Sequence, residues 1–312
     1  MKVCVVSPPG NQVYGDKYAW VVRGFEQAGH RVIRAHDFKG VLLADGISDL
    51  VLLVNYCGGL DRCDVAEYAP RRKARWAMWW FDLLHREMAK PLGEQDLVSS
   101  YLPAMRAVDF VLVKERSCLD DYRALGINAY YMDQGCPADM APTAHADSPR
   151  WDVAVLGAID RPQRLSDVQA LVRAGVSVAW AARPGPRPLP AGVTPLPWTQ
   201  PNLLPYLLGS AALGLSVDYT CDIDGYSSDR TYLLAGMGAC VLHRRGLYSP
   251  SLPMLQYRTE AELVRLAKEM VAAPSERRAL GRHARRYVLE GHTYAHRARS
   301  ILKILAASGA AK

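Results

Sequence analysis

Six short runs, KVCVVSP, RVIRAHDF, DLVLLVNY, ARWAMWWFD, DFVLVKE and NAYYMDQG, recur through the first 140 residues, and among them KVCVVSP, DLVLLVNY, ARWAMWWFD and DFVLVKE each hold at least four consecutive apolar residues. A strand that is apolar on every residue rather than on alternate ones is covered on both faces. Amphipathic stretches of about a dozen residues separate several of these runs: DKYAWVVRGFEQAGH, DLVSSYLPAMRAV and RSCLDDYRALG. Together they predict a parallel sheet with helices on both sides.

The pattern then lapses. CPADMAPTAHADSPRW is rich in Pro, Ala and Asp without apolar periodicity, and reads as a linker. A second α/β series follows. DVAVLGAI, VSVAWAAR, LGLSV and ACVLHR are strands, and LSDVQALVRAG, NLLPYLLGSA and SSDRTYLLAG are helices. PGPRPLPAGVTPLP is a proline-rich loop, and consecutive helices close the chain from TEAELVRLAKEM onward. The fold class expected is α/β, two doubly wound Rossmann-like domains over 1–140 and 150–290. Ligands in such sheets bind beyond the carboxyl ends of the strands.

Composition narrows the setting. The longest apolar stretch, NLLPYLLGSAALGLSV, holds a proline and two glycines and is too short for a bilayer span. The opening MKVCVVSPPG reads as strand and turn, not as a secretory leader. Seven dispersed cysteines with no C-x-x-C pair suit reduced thiols and a cytoplasmic location, and argue against a zinc site. Residues 1–150 hold 18 basic and 19 acidic residues, and 151–312 hold 20 and 12. The positive excess therefore lies in the second half, where an anionic ligand is expected, although a solvated basic helix gives the same count.

One stretch of that half carries an anion site in its own chemistry. SSDRTYLLAGMGACVL, residues 227–242, offers N-cap residues Ser227, Ser228 and Asp229, with Arg230 in the first helical turn. Helix-start N–H groups beside a guanidinium attract negative charge.

The first-half order KARWAMWWFD, DFVLVKE, LGINAYYMDQGCPADM and the second-half order DVAVLGAIDRPQR, SSDRTYLLAGMGACVL, EGHTYAHRARSIL resemble the GT-B glycosyltransferases related to spore-maturation glycosyltransferase-like proteins. The resemblance implies transfer of a sugar from a nucleotide diphosphate sugar, without a metal, to an acceptor hydroxyl in an interdomain cleft. It assigns the donor to the second domain and the acceptor to the first, with the last helix, near 291–312, returning to the first.

On this resemblance Arg230, Ser227 and Ser228 meet the diphosphate, and Arg230 offsets charge that builds on the leaving group. Gly157, Arg161 and Arg164 of LGAIDRPQR supply the second domain's first turn and reach for phosphate, or the arginines are surface charges. Gly236 and Gly238 let backbone approach the donor, or cap the helix. In SPPGNQVYGD, Gly10, Asn11, Tyr14 and Gly15 line the acceptor side, and Asp16 is a base or a helix cap. Asp82 of WWFDLLH is the base of an inverting transfer, or a cap, with His85 as its competitor. Trp76, Trp79 and Trp80 read as core. The family's glutamate, placed to hold the nucleotide ribose, is replaced here by Leu233. That leaves room for a non-catalytic homologue.

Two motifs fit less well. Asp222 and Asp224 of CDIDG form an Asp-x-Asp, but in the wrong context for a metal–diphosphate site. The run APRRKAR, with Arg71, Arg72, Lys73 and Arg75, is either a solvated turn or a phosphate-backbone contact. The latter belongs to a narrower alternative, in which the acceptor is DNA carrying a hydroxymethylated pyrimidine rather than a glycan or small molecule. SERRALGRHARR adds positive charge on the closing helices.

Overall fold

The computed structural model describes residues 1–7, 15–81, 95–142, 148–158, 161–182, 188–197, 204–218, 223–247 and 250–309. The chain divides into two units. The first comprises Met1–Gln134, Ile223–Tyr226 and Tyr294–Lys312, and the second Gly135–Asp222 and Ser227–Thr293.

In the first unit the strands are β1 Lys2–Val6, β2 Arg31–Ala35, β3 Leu50–Val54, β4 Arg75–Trp79, β5 Phe110–Val113 and β6 Ala129–Tyr131. They form one parallel sheet in the order β2-β1-β3-β4-β5-β6. Helices α1 Gly15–Gln27, α2 Phe38–Asp45, α3 Arg62–Tyr68, α4 Gln95–Ala107 and α5 Leu119–Ala124 fall between them. Parallel neighbours need a crossover, so α2 and α3 are required although their short patterns gave no amphipathic signal. In α2, Leu42 and Leu43 even face water, and the helix start is fixed by Asp37, which accepts the Gly40 N–H at 2.7 Å. Trp76, Trp79 and Trp80 are buried in the sheet's core, as the apolar pattern around them predicts. The last helix of the chain, Tyr294–Gly309, belongs to this unit and packs on α1 at Gly24.

The basic run is not a free patch. Arg72 donates to Asp109 at 2.9 Å and to the Ala69 and Ala107 carbonyls, and Arg75 meets Asp109 at 2.8 Å and Ser308 at 3.0 Å. Arg72 and Arg75 therefore have a structural role that neither reading of the run, solvated turn or phosphate-backbone contact, includes: they tie a buried carboxylate to neighbouring helix ends. Arg71 pairs on the surface with Glu67, and Lys73 is exposed. Burial would raise the Asp109 carboxyl, but the Trp76 N–H and the two guanidiniums hold it below its ordinary value. A depressed folded-state value means this stabilisation is present above the unfolded carboxylate value near pH ~4, and is lost as pH falls below it. Asp109→Ala leaves both arginines and an N–H uncompensated, so a loss of about 3 kcal/mol in denaturant unfolding is expected at pH 7, shrinking toward pH 3.

The second unit repeats the scheme. Its strands are β7 Trp151–Leu156, β8 Val178–Ala181, β9 Val193–Leu196, β10 Ala211–Ser216, β11 Val241–Arg244 and β12 Leu255–Tyr257, all parallel in the order β12-β11-β10-β7-β8-β9. Its helices are α6 Pro162–Arg173, α7 Leu204–Gly209, α8 Asp229–Gly236, α9 Glu260–Ala272 and α10 Pro274–Gly291. The chain-terminal helix is therefore α11. Strands β9 and β12, both at sheet edges, were not legible. The proline-rich stretch read as loop contains β9, where Pro195 pairs with Trp180 in register, as an edge strand tolerates. The predicted linker also begins inside structure: Cys136 is fully buried, and its N–H donates to the His292 carbonyl at 3.0 Å.

Candidate functional site

Strand order in the second unit reverses between β7 and β10, whose carboxyl ends lie side by side. In an open α/β sheet such a switch point leaves a crevice that no crossover helix covers. From β7 the chain turns at Gly157, with φ +109°, a conformation that L side chains rarely adopt. From β10 it continues into Val217 and Asp218.

Three groups converge there. The buried Arg164 guanidinium, from the first turn of α6, donates to the Ala158 carbonyl at 2.6 Å and the Val217 carbonyl at 2.9 Å, clamping the two strand ends. Arg230, from the first turn of α8, donates to the same Val217 carbonyl at 3.1 Å. Its guanidinium lies against Gly157, so close that a Cβ on that residue would overlap it. The third group is the start of α8 itself. Ser228 is the N-cap, with its Oγ accepting the Arg230 N–H at 3.4 Å, and Asp229 accepts the same N–H at 3.0 Å.

The helix start is fastened to β10. Asp218 Oδ1 accepts the Ser228 N–H at 2.9 Å, and the Thr231 hydroxyl meets Ser216 at 2.9 Å. Ser227 is fully buried, and its Oγ has no hydrogen-bond partner among the described residues. Two guanidiniums and two carboxylates balance in number, so placement decides the field. Asp218 is 4% exposed and both its oxygens are engaged, whereas Arg230 is partly open to solvent at the positive end of a helix. Such an arrangement can hold an anion of phosphate type.

The structure therefore brings together Gly157, Arg164, Ser227, Ser228 and Arg230. Arg164 is a clamp behind the site rather than a surface charge, and Arg161 stands at the N-cap of α6, partly exposed. Gly236 and Gly238 are not part of the cluster; they lie at the opposite end of α8. Gly236 is packed so closely on Cys136 that no Cβ fits, and Gly238, with φ +85°, ends the helix by donating to the Ala235 carbonyl at 2.9 Å. Leu233, one turn beyond Arg230, is buried.

On the first unit, Gly10, Asn11, Tyr14, Asp82 and His85 lie outside the described residues. Helix α1 begins at Gly15, which places Asp16 in its first turn rather than at its cap. Asp222 is likewise outside, and the Asp224 carbonyl accepts the Ser117 N–H at 3.3 Å. Among the described residues no three His, Cys, Asp or Glu side chains are grouped to hold a metal. Sequence reasoning missed Asp218 and His243, whose Nε2 lies 3.3 Å from Asp218 Oδ2. An acidic residue just past a buried strand was the available signal for Asp218; nothing in ACVLHR marks the histidine.

Comparison with known proteins shows the family and the fold. Residues 141–303 match the family model described as glycosyl transferase-like. A search of curated proteins finds no match. Among solved structures the chain is similar to T4 phage β-glucosyltransferase, with 14% identity, 97% of this chain and 99% of that one covered, and a TM-score of 0.66. It is similar to HepE of Anabaena, solved with UDP-glucose, at 11% identity, 98% and 100% coverage and a TM-score of 0.65. It is also similar to an α-glucosyltransferase solved with UDP and a 13-mer DNA containing an HMU base, at 8% identity, 98% and 99% coverage and a TM-score of 0.72. The likeness is one of fold: the two doubly wound parallel sheets of the GT-B architecture.

Proposed function

We propose, from the premise that this chain belongs to the glycosyl transferase-like family, that its second unit binds a nucleoside diphosphate sugar through the diphosphate. The sugar then passes to an acceptor hydroxyl. The observation that carries this reading is the Arg230 guanidinium held over Gly157 at the β7–β10 switch point, beside the N-terminus of α8. As the glycosidic bond breaks, charge accumulates on the departing diphosphate. A fixed guanidinium at the positive end of α8 then stabilises the transition state more than the ground state. The buried hydroxyl of Ser227 adds a donor at the same helix start.

UDP or UDP-glucose in the T4 phage and Anabaena structures makes a uridine donor the first to test. Leu233 on α8 is apolar and buried, so in this reading the nucleotide's ribose hydroxyls are held from elsewhere. Asp82 is proposed as the base of an inverting transfer. Because Arg230 and the α8 start supply the positive charge at the diphosphate, transfer is proposed to need no metal. T4 phage β-glucosyltransferase has been solved with UDP and Mn2+, so transfer with and without EDTA is the check; loss of turnover in EDTA would put a metal in the site.

The acceptor is proposed as a hydroxyl not recruited through the APRRKAR run, because Arg72 and Arg75 are committed to Asp109. The α-glucosyltransferase solved with DNA nonetheless keeps modified DNA on the acceptor panel. No helix among the described residues is long and apolar enough to cross a membrane. A reducing, cytoplasmic setting is proposed from the dispersed cysteines, of which Cys4, Cys57, Cys118, Cys136 and Cys240 are free and buried.

Thermal shift against UDP and UDP-glucose tests donor binding. A ligand at about 100 times its Kd adds about 2.7 kcal/mol through linkage. An unchanged melting temperature across UDP, dTDP and GDP sugars would remove the donor assignment. Gly157→Ala adds a directed test. Its Cβ displaces the Arg230 guanidinium without removing the charge, and the positive φ costs about 1–3 kcal/mol. Weaker UDP binding is therefore expected from a variant whose Arg230 is intact.

A further inference from the structure

We infer that His243 is a positioning residue for donor binding, acting on Arg230 through Asp218; this rests on the diphosphate reading of the Arg230 site. His243 sits on β11, in register with Ser216 of β10, and is fully buried. Its Nε2 lies 3.3 Å from Asp218 Oδ2. Its Nδ1 has no hydrogen-bond partner among the described residues. The neutral tautomer with the proton on Nε2 satisfies these contacts: Nε2–H donates to the carboxylate, and no buried N–H is left without an acceptor at Nδ1.

The link continues outward. With one oxygen held by His243, Asp218 offers the other to the Ser228 N–H at 2.9 Å. Ser228 caps α8 and accepts the Arg230 N–H, and the Arg230 side chain returns to the carbonyl of Val217, the residue before Asp218. The helix start and the end of β10 thus form a closed ring of hydrogen bonds, and His243 is its only imidazole. A buried imidazole here is costly unless it fixes something. A leucine of similar volume would pack in this strand without needing a partner. What the histidine adds is the direction of the Asp218 carboxylate, and hence the azimuth of the first turn of α8. An error of about 1 Å in such a group costs binding and rate without unfolding the protein.

The test measures UDP affinity by calorimetry and melting temperature in His243→Leu, His243→Gln, Arg230→Ala and the double variant His243→Leu/Arg230→Ala. His243→Leu is expected to weaken UDP about tenfold, the worth of one hydrogen bond to a charged group. His243→Gln, whose amide N–H can replace Nε2–H, is expected to recover most of that loss. In the double variant the histidine change should cost nothing further, because its effect runs through the arginine. Independent, additive losses, or equal affinity in His243→Leu and wild type, would overturn the inference. An Arg230→Ala variant that binds UDP normally would instead overturn the donor site itself. If His243→Leu is not recovered folded, Asp218→Asn takes its place. It keeps an oxygen for Ser228 but removes the acceptor for Nε2–H, and the same tenfold loss and lack of additivity are expected.

Discussion

Arg230→Ala is expected to lower kcat/KM for the donor about 10²–10³-fold while leaving the melting temperature within about 2 °C of wild type. Both parts follow from the same geometry. Among the described residues the side chain makes a single hydrogen bond, to the Val217 carbonyl, and it is partly exposed, so the fold loses little without it. Arg164 still clamps the ends of β7 and β10. What disappears is the one guanidinium that lies open to solvent over Gly157. Arg230→Lys should restore only part of the rate, since a point charge on a flexible stem cannot lie across the glycine as a planar fork does. Steady-state kinetics with a confirmed donor decide the matter, and a loss confined to KM would mean that the arginine serves binding alone.

A second substitution with a large expected effect on stability is Gly24→Ala. A Cβ there would stand 2.6 Å from the carbonyl carbon and oxygen of Tyr294 and 2.8 Å from its Cβ, in the first turn of α11. Two of these atoms are backbone and cannot rotate away. Helices α1 and α11 must then separate, and the Tyr294 ring moves from its places beside Trp20 and Trp79, each 6.0 Å away between centroids. Alanine in a helix interior is otherwise favoured over glycine by about 1 kcal/mol. The overlap opposes and exceeds that gain, for a net cost of about 1–3 kcal/mol and a melting temperature lower by about 5 °C. Thermal denaturation of Gly24→Ala reads this directly. A rise in melting temperature would mean that propensity wins and that α11 does not rest on Gly24.

Much of this was legible in the sequence because burial on both faces leaves a plain mark. The strands of KVCVVSP, DLVLLVNY and DVAVLGAI each carry four or more consecutive buried apolar residues, and a parallel doubly wound sheet is the ordinary way to cover both faces. Edge strands leave no such mark: VTPL has two exposed residues and a proline, so β9 read as loop. The capped start of α8 was visible in Ser228 and Arg230, since capping chemistry is local. The partners that give those residues meaning are not local. Asp109 gathers Arg72 and Arg75 across 37 and 34 positions, and Asp218 meets His243 across 25. A basic run therefore looked like a contact surface until the carboxylate between its arginines was placed. Of the two glycines of AGMG, Gly238 ends the helix, as the capping alternative has it, while the role of Gly236 is set by a distant residue. No Cβ fits at Gly236 because Cys136 packs against it, and Cys136 lies in a stretch whose composition reads as linker.

The most direct measurement is a crystal structure of the protein with UDP. The expected result is a diphosphate whose oxygens lie about 2.7–3.2 Å from the Arg230 guanidinium and the hydroxyls or N–H groups at the start of α8, above Gly157. A nucleotide whose phosphates lie elsewhere, with Arg230 still engaged by Val217 alone, would contradict the assignment of this switch point as the donor site.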